Sequence, residues 1–236
     1  MKKRRLIIVV CIAAASILAA IGILLALNNG GQQGPVKPKK AYKDTLVDMQ
    51  EFLSTPKAEE DIADGMYGVY EAIQALGDAA ADTVGYAYTD LNEDGQKELL
   101  IGNFTGTGAP DVKNEIYGAY TYHMGIREPL FEKQKRNTYA LTDTGTLYFY
   151  GSDEVAFHIV AEYQMTEEGI VCIDFYFSYP KYGDINNLEY FHNTTGEWDP
   201  KVSEKVDMTY EQFEEIRKNL AARTVSIDAE LLSEIG

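Results

Sequence analysis

The hydrophobic pattern divides the chain into four stretches. An uncharged apolar run from Leu6 to Leu27 follows the basic residues 1–5, and at about 1.5 Å per residue it is long enough to cross a bilayer as a helix. Residues 28–40 are rich in Gly, Gln, Pro and Lys without apolar periodicity, which is typical of a flexible stalk. Residues 41–236 carry helix and strand patterns and are enough for one domain.

Two helices are predicted at the start of this domain. The first covers 41–54, and the second covers about 57–81, with Thr55 as its cap and Pro56 at its first position. Apolar residues of the second helix alternate in steps of four and three, which puts them on one face; they are Ile62, Met66, Val69, Ile73, Leu76 and Ala80. We expect this face to pack on the sheet that follows.

From 84 to about 192 the pattern changes to short β-branched and aromatic runs separated by turns. Strands are predicted near 84–89, 98–103, 115–123, 127–132, 137–142, 146–150, 154–165, 169–177 and 187–192. Short connections make antiparallel neighbours. The predicted fold is therefore α+β, an antiparallel β-meander with flanking N- and C-terminal helices, preceded by one transmembrane helix.

The end of the chain carries a helix signal. Thr209 and Gln212 have the spacing of a capping box, which predicts a helix over about 210–222. Residues 225–235 are expected to form a last short element that docks on the sheet.

The one stretch with a chemical pattern lies between the first two predicted strands. Oxygen-bearing side chains alternate at Asp90, Asn92 and Asp94, and Glu98 follows. Ca²⁺ prefers six to eight oxygen ligands, and a loop with alternating oxygens can wrap such an ion. Gly95 permits the sharp turn, and the backbone carbonyl of Gln96 would supply a further ligand.

This loop is not an EF-hand, because the position of the required bidentate Glu is Ile101 and the flanks are strand-like. The stretch resembles the calcium hairpins of FG-GAP and VCBS-type repeats. It is also similar to a loop of uncharacterised membrane-anchored surface proteins of Gram-positive bacteria, with the pattern Asp-x-Asp-x-Asp-Gly-x-x-Glu-Leu. Asp90, Asp94, Glu98 and Leu99 match that pattern, and Asn92 replaces an Asp, which removes one charge. The resemblance implies a calcium site but no activity.

A metal-free turn is the alternative interpretation of the same residues. Asn, Asp and Gly are also the usual residues of tight turns between strands. The regular alternation and the additional carboxylate of Glu98 favour calcium, because a turn alone requires neither.

The N-terminal charges predict the orientation in the membrane. The tail 1–5, with four basic residues, should stay in the cytoplasm, which places everything after residue 28 outside the cell. The apolar run is longer than that of a secretory signal and lacks a following cleavage site. An uncleaved signal-anchor is therefore favoured over a cleaved signal, with the lipid bilayer as the partner of residues 6–27.

Composition narrows the function classes. The chain has 21 basic and 37 acidic side chains, and without the four basic residues at the N-terminus the balance is 17 against 37. Such a surface repels nucleic acid.

Cys11 lies in the predicted anchor and Cys172 in a predicted strand, so no intrachain disulfide is expected.

The catalytic patterns in the chain are weak. The chain has no nucleophile elbow and no zinc motif, and His123, His158 and His192 are scattered. Acidic residues occur among aromatic ones, which would suit glycan binding or a carboxylate-based hydrolase; the acids are Asp153, Glu154, Asp174 and Asp184, and the aromatic residues are Tyr176, Tyr179, Tyr182 and Trp198.

The sequence thus favours a membrane-anchored extracytoplasmic domain with a structural calcium ion and no catalytic role. Its predicted ligands are Asp90, Asn92, Asp94, Gln96 and Glu98. A glycan or protein partner at the cell surface, bound without metal by an aromatic-rich sheet, is the alternative function, and a hydrolase is the third.

Overall fold

The computed structural model describes residues 37–123, 126–154 and 157–235. The predicted basic tail and anchor and most of the predicted stalk lie outside these residues. Within the described ranges, no helix has the length and apolar character needed to cross a membrane.

One antiparallel sheet contains the eleven strands of the described residues. They are β1 Val84–Thr89, β2 Glu98–Asn103, β3 Glu115–His123, β4 Ile126–Glu132, β5 Asn137–Leu141, β6 Leu147–Glu154, β7 Phe157–Thr166, β8 Gly169–Lys181, β9 Asp184–Asn193, β10 Glu204–Val206 and β11 Glu230–Leu231. The order across the sheet is β10-β9-β8-β7-β6-β5-β3-β2-β1-β11, and β4 pairs with β3 beside this path. The nine predicted strands are all present, and β5 to β10 follow one another as a meander.

Helices flank the strand region in sequence, as predicted. The α-helices of the described residues are α1 Pro38–Ala41, α2 Lys43–Ser54, α3 Tyr67–Leu76, α4 Ala80–Thr83 and α5 Tyr210–Ala222. Short 3₁₀ turns cover Glu59–Asp61, Gly77–Ala79 and Leu232–Glu234. The molecule is therefore mostly antiparallel sheet with a few helices.

The second predicted helix, 57–81, is wrong in its extent. Apart from the 3₁₀ turn Glu59–Asp61, the chain is irregular between Thr55 and Tyr67, where α3 begins. Thr55 ends α2 instead of capping the next helix. Gly65 and Gly77 adopt positive φ angles of 76° and 55°, which interrupt a right-handed helix at both places. The apolar face is nevertheless confirmed, since all six of its residues pack in one cluster against the sheet.

The last residues of the predicted stalk are helical. Residues 38–40 belong to α1, where Pro38 occupies the first turn, a position that tolerates a missing N–H. Lys39 of this helix forms an exposed ion pair with Glu230 at 3.1 Å.

One end of the sheet is covered by the N-terminal helices. The cluster between them contains Met49 and Phe52 of α2, Val69 of α3, and Leu99 and Ile101 of β2. At the other end α5 contributes Phe213 and Ala221 to a cluster with strands β5 to β9. A third cluster of mostly aromatic and aliphatic side chains follows the opposite face of the strands, from Leu100 to Phe191.

The C-terminal residues return to the N-terminal helices. Gly85 and Tyr86 of β1 pair with β11, which confirms the last docking element. The Gln50 side chain in α2 donates to the carbonyls of Ser233 and Ile235 at 2.9 and 3.2 Å. The capping box of α5 is also present, with both of its hydrogen bonds.

Candidate functional site

The predicted calcium ligands lie together in the loop that joins β1 to β2. Asp90 follows the last residue of β1 directly, and Glu98 is the first residue of β2, so paired strands hold both ends of the loop. Asp94 is exposed, Asn92 and Asp90 are half-buried, and Glu98 is only 1% exposed. The register of the β1–β2 hairpin thus brings the first and last predicted ligands to the same end of the sheet.

Hydrogen bonds within the loop shape it as a series of side-chain turns. Asp90 Oδ2 accepts from the Gly95 N–H at 3.0 Å, and Asp94 Oδ1 accepts from the Gln96 N–H at 2.7 Å. Asn92 Oδ1 accepts from the Asp94 N–H at 3.2 Å. Gly95 has a φ angle of 86°, which confirms the predicted glycine turn. Each of these side chains accepts a hydrogen bond from a backbone N–H further along the loop, and for Asn92 and Asp94 this is the pattern of an Asx-turn.

Two carboxylate oxygens of the loop are buried without a hydrogen-bond donor from any described residue. They are Asp90 Oδ1 and Glu98 Oε1. The other oxygen of each carboxylate is used: Glu98 Oε2 accepts from the Leu91 N–H at 2.8 Å, and Asp90 Oδ2 accepts from Gly95. A buried acceptor without a partner is costly, by about 1–3 kcal/mol or more for a charged group. A cation between these oxygens would remove that cost.

Burial dominates the electrostatics of Glu98. It raises the pKa of this carboxyl to about 7; the Leu91 N–H opposes the rise, and the negative charges of Asp94 and Asp90 add to it. Among the described residues, the carboxylates of the loop form no ion pair with Lys, Arg or His. The site therefore concentrates negative charge that no described side chain neutralises.

The other buried glutamates of the described residues differ in this respect. Glu115 contacts Lys133 Nζ at 2.5 Å, and Glu162 contacts Arg223 at 3.1 Å. Burial raises the pKa of Glu71, but the positive charge of Lys133 opposes the rise. Each of these three carboxyls thus has a cation near it, and the glutamate of the β1–β2 loop has none.

The carboxylates of the loop do not converge on a single point in this structure. Among residues 37–123, 126–154 and 157–235, no three His, Cys, Asp or Glu side chains form a group that could hold a metal ion. The loop carboxylates are turned toward backbone N–H groups instead, with one oxygen each. The donor chemistry nevertheless fits a hard cation, because every predicted ligand atom is an oxygen.

A tyrosine cluster at the base of the loop could not be predicted from the sequence. The ring of Tyr42 stacks on Tyr88 at 5.9 Å and meets Tyr122 edge-on at 5.9 Å. The Tyr42 hydroxyl lies 3.1 Å from the backbone carbonyl of Lys97. Burial raises the pKa of Tyr42, and the charge of Glu98 raises it further. No local motif signals this contact, since Tyr42 is far from the loop in sequence.

Of the acidic residues proposed for hydrolysis, Asp174 and Asp184 do not form a pair with each other. Asp174 lies within β8 and contacts His192 at 2.9 Å, whereas Asp184 lies at the turn, paired with Lys181. Seven residues of strand separate the two levels, or roughly 23 Å, far beyond the roughly 5–10 Å of glycosidase carboxylates. The side chains of Asp153, and of Glu154 beside it, lie outside the described part of the chain.

The aromatic candidates are divided between the two faces of the sheet. Tyr176 stacks on His192 at 4.4 Å, on the face that carries α5. Tyr179 and Trp198 both contact Phe157, on the opposite face. Tyr182 is 98% exposed at the β8–β9 turn. These residues therefore do not share one platform.

The remaining candidates have ordinary surroundings. His158 Nδ1 is 3.1 Å from the Tyr150 hydroxyl, and the side chain of His123 lies outside the described part. Cys172 is a half-buried free cysteine, and burial raises the pKa of its thiol to about 12. The thiol is thus protonated at neutral pH, which does not favour a redox role.

Comparisons with known proteins found no match to this chain among protein-family models, curated proteins or solved structures.

Proposed function

We propose that this chain is a non-catalytic, membrane-anchored domain outside the cell, and that the β1–β2 loop binds a structural calcium ion. The observation that carries the proposal is the environment of Glu98. This glutamate is almost completely buried, one of its oxygens has no donor, and no described Lys or Arg balances its charge. A buried carboxylate without a partner is strongly unfavourable when it is ionised. Above its raised pKa of about 7, a bound cation would supply the missing positive charge.

The predicted ligands are the side-chain oxygens of Asp90, Asn92, Asp94 and Glu98 and the carbonyl of Gln96. Bound Ca²⁺ would supply positive charge and oxygen-coordination sites to carboxylates that bury an oxygen without a donor. Asp90 directly follows β1, and Glu98 is the first residue of β2. Their shared interaction with one cation would hold these strands together at the loop end, which is a structural role and not a catalytic one.

The metal-free turn remains the competing interpretation, and the loop hydrogen bonds are compatible with it. Two features favour a cation over a simple turn. A turn requires no carboxylate at the buried position of Glu98, and it gains nothing from leaving Asp90 Oδ1 and Glu98 Oε1 without donors. Asn92 lowers the charge of the loop, so we expect a modest affinity, with a dissociation constant of about 10⁻⁴ to 10⁻³ M, as in extracellular modules.

The membrane location and the cell-surface role rest on the sequence pattern of residues 1–40. A glycan- or peptide-binding role through aromatic side chains has weaker support, because Tyr176 and Tyr179 lie on opposite faces of the sheet. The exposed Tyr182 alone gives no platform.

The proposal can be tested by calcium titration of the full chain in a non-ionic detergent, using calorimetry and thermal unfolding. We expect one calcium ion per chain. At a concentration ten times the dissociation constant, the stabilisation should be about 1.4 kcal/mol, which raises Tm by about 3–6 °C. Asp94→Ala should abolish this shift and leave the stability in chelator within about 0.5 kcal/mol, because Asp94 is exposed.

Asp143→Ala is the matched control, since Asp143 is an exposed aspartate in another hairpin turn. It should leave the calcium-dependent shift unchanged. Absence of binding heat and of any Tm shift in the unaltered chain would refute the proposal and leave the loop as a metal-free turn.

A further inference from the structure

We infer that the calcium loop and the N-terminal segment Pro38–Ser54 form one coupled unit, joined by Tyr42. This inference rests on the proposed function of the loop and adds a regulatory consequence to it. Calcium binding would strengthen the attachment of α2 to the sheet, and attachment of α2 would strengthen calcium binding. Tyr42 is a positioning residue in this scheme, because it contacts the backbone of the loop and not the cation.

The first observation is the position of the Tyr42 hydroxyl. Tyr42 connects α1 to α2 and is 1% exposed. Its hydroxyl lies 3.1 Å from two backbone carbonyls, those of Lys97 and Tyr120. Lys97 immediately precedes Glu98, so this contact fixes the peptide that leads into the buried ligand. Tyr120 belongs to β3, which pairs with β2 through Leu99.

The second observation concerns the other arm of the loop. The Tyr42 ring stacks on Tyr88, with 5.9 Å between ring centroids and an interplanar angle of 27°. Tyr88 lies two residues before Asp90, near the end of β1. A single side chain from the N-terminal segment therefore contacts Tyr88, two residues before Asp90, and Lys97, the residue before Glu98.

These contacts imply a coupling between calcium binding to the loop and the attachment of α2 to the sheet. A cation would link Asp90 and Glu98, and Tyr42 contacts the chain close to both of them, at Tyr88 and at the Lys97 carbonyl. An interaction that stabilises the observed positions of the two loop ends therefore favours both calcium binding and the attachment of α2. By thermodynamic linkage, calcium and the docked segment must then strengthen one another by the same factor.

The attachment of α2 does not depend on Tyr42 alone. Met49, Phe52 and Leu53 are buried in the same cluster, and Gln50 bonds to the C-terminal residues. Calcium would therefore tune the attachment of an already packed helix. This is why the expected readout is a change in the rate of local opening and not a gain or loss of the helix.

Hydrogen–deuterium exchange of the full chain in non-ionic detergent tests the coupling. Exchange should be compared with calcium and with chelator in α2, Lys43–Ser54, and in α5, Tyr210–Ala222, which lies at the other end of the sheet. We expect calcium to slow exchange in α2 about tenfold more than in α5. Tyr42→Phe should remove most of this additional protection and weaken calcium binding by a similar factor.

Tyr86→Phe is the matched control. Tyr86 belongs to the same cluster, and its hydroxyl donates to Glu230 Oε2 at 2.7 Å, so this variant also loses one partly buried hydroxyl bond. It should keep the calcium affinity and the additional protection of α2.

Three results are decisive in different ways. Calcium binding with equal protection of α2 and α5 would overturn the coupling and leave the proposed calcium site intact. The same holds if Tyr42→Phe and Tyr86→Phe behave alike. Absence of calcium binding by calorimetry would overturn the proposed function itself, and the coupling with it.

Discussion

Two acidic hairpin turns in this molecule differ in whether a positively charged side chain balances their negative charge. The turn between β5 and β6 carries Asp143, which contacts Arg223 at 3.3 Å. The buried Glu162 beside it accepts from Thr146 at 2.5 Å and contacts the same arginine. The β1–β2 loop also combines exposed acids with a buried glutamate, but no described residue supplies a positive charge there. A side-chain cation balances the first turn, and we propose an external cation for the second.

The comparison shows which property distinguishes an ion site from an ordinary acidic turn. Acidic composition is common to both turns, as are side-chain oxygens that accept backbone or hydroxyl hydrogens. The difference is whether the charge of a buried carboxylate has a partner. That property depends on tertiary packing and not on the letters of the turn.

The largest effect should follow from removing the arginine of the β5–β6 turn. Arg223→Ala leaves Glu162 buried without a cation, and we expect a loss of about 3 kcal/mol in the free energy of unfolding. This value is at the low end for a broken buried pair, because the Arg223 side chain is 36% exposed. Urea unfolding measures it, and calcium should not restore the loss.

The double variant Arg223→Ala with Glu162→Gln provides the control. Removal of both charges should recover a large part of the stability. A loss that persists in the double variant would mean that Arg223 acts through the end of α5 and not through the carboxylate, and the comparison would fail.

The next effect concerns the loop glutamate and changes sign with calcium. In chelator, Glu98→Gln removes an unbalanced buried charge, and we expect the domain to gain about 2 kcal/mol at pH 8. The raised pKa of Glu98 corresponds to somewhat more, but the amide still buries a polar atom without a partner. In saturating calcium the same variant should be less stable than the unaltered chain.

Urea unfolding with and without calcium measures both signs. A destabilised Glu98→Gln in chelator would show that the ionised carboxylate is favourable without a cation. The contrast between the two turns would then disappear.

The smallest effect, expressed per pH unit, is the pH dependence of the metal-free domain. The pKa of Glu98 rises from its ordinary value of 4.5 to about 7 on folding, so the folded state binds more protons than the unfolded state between these values. The contribution of Glu98 to stability should therefore fall as pH rises from about 4.5 to 7, by at most about 1.4 kcal/mol per pH unit, and level off above pH 7.

Unfolding in chelator at several pH values measures this slope, with Glu98→Gln as the reference that lacks it. Equal slopes for both chains would contradict the assignment of a raised pKa to this carboxyl.

Much of the fold could be predicted because the strand pattern is local. Alternating β-branched and aromatic residues identified β1 to β9, and the capping box located α5. The prediction of one helix over 57–81 was wrong because Gly65 and Gly77 adopt left-handed backbone conformations. The spacing of apolar residues carries no information about such conformations. β10 has three residues and β11 has two, too few to form a periodic signal.

The candidate site was predictable in composition but not in electrostatics. The alternation of Asp90, Asn92 and Asp94, together with Glu98, favours an ion loop, but the same residues also suit a metal-free turn. Glu98 is buried at the start of β2, and the depth of a strand end depends on packing that the letters of the loop do not contain. The contact of Tyr42 with the carbonyl of Lys97 depends on how α2 packs, which the local pattern cannot specify.

The return of the C-terminal residues to the N-terminal helices has a consequence for how the domain can be joined to other chains. Lys39 and Gln50 contact Glu230, Ser233 and Ile235, so the chain enters and leaves the fold at one place. Such a domain can be inserted into a surface loop of another protein without forcing the ends of that loop apart. It can also be circularly permuted through a short linker, with new ends in an exposed turn such as that at Tyr182.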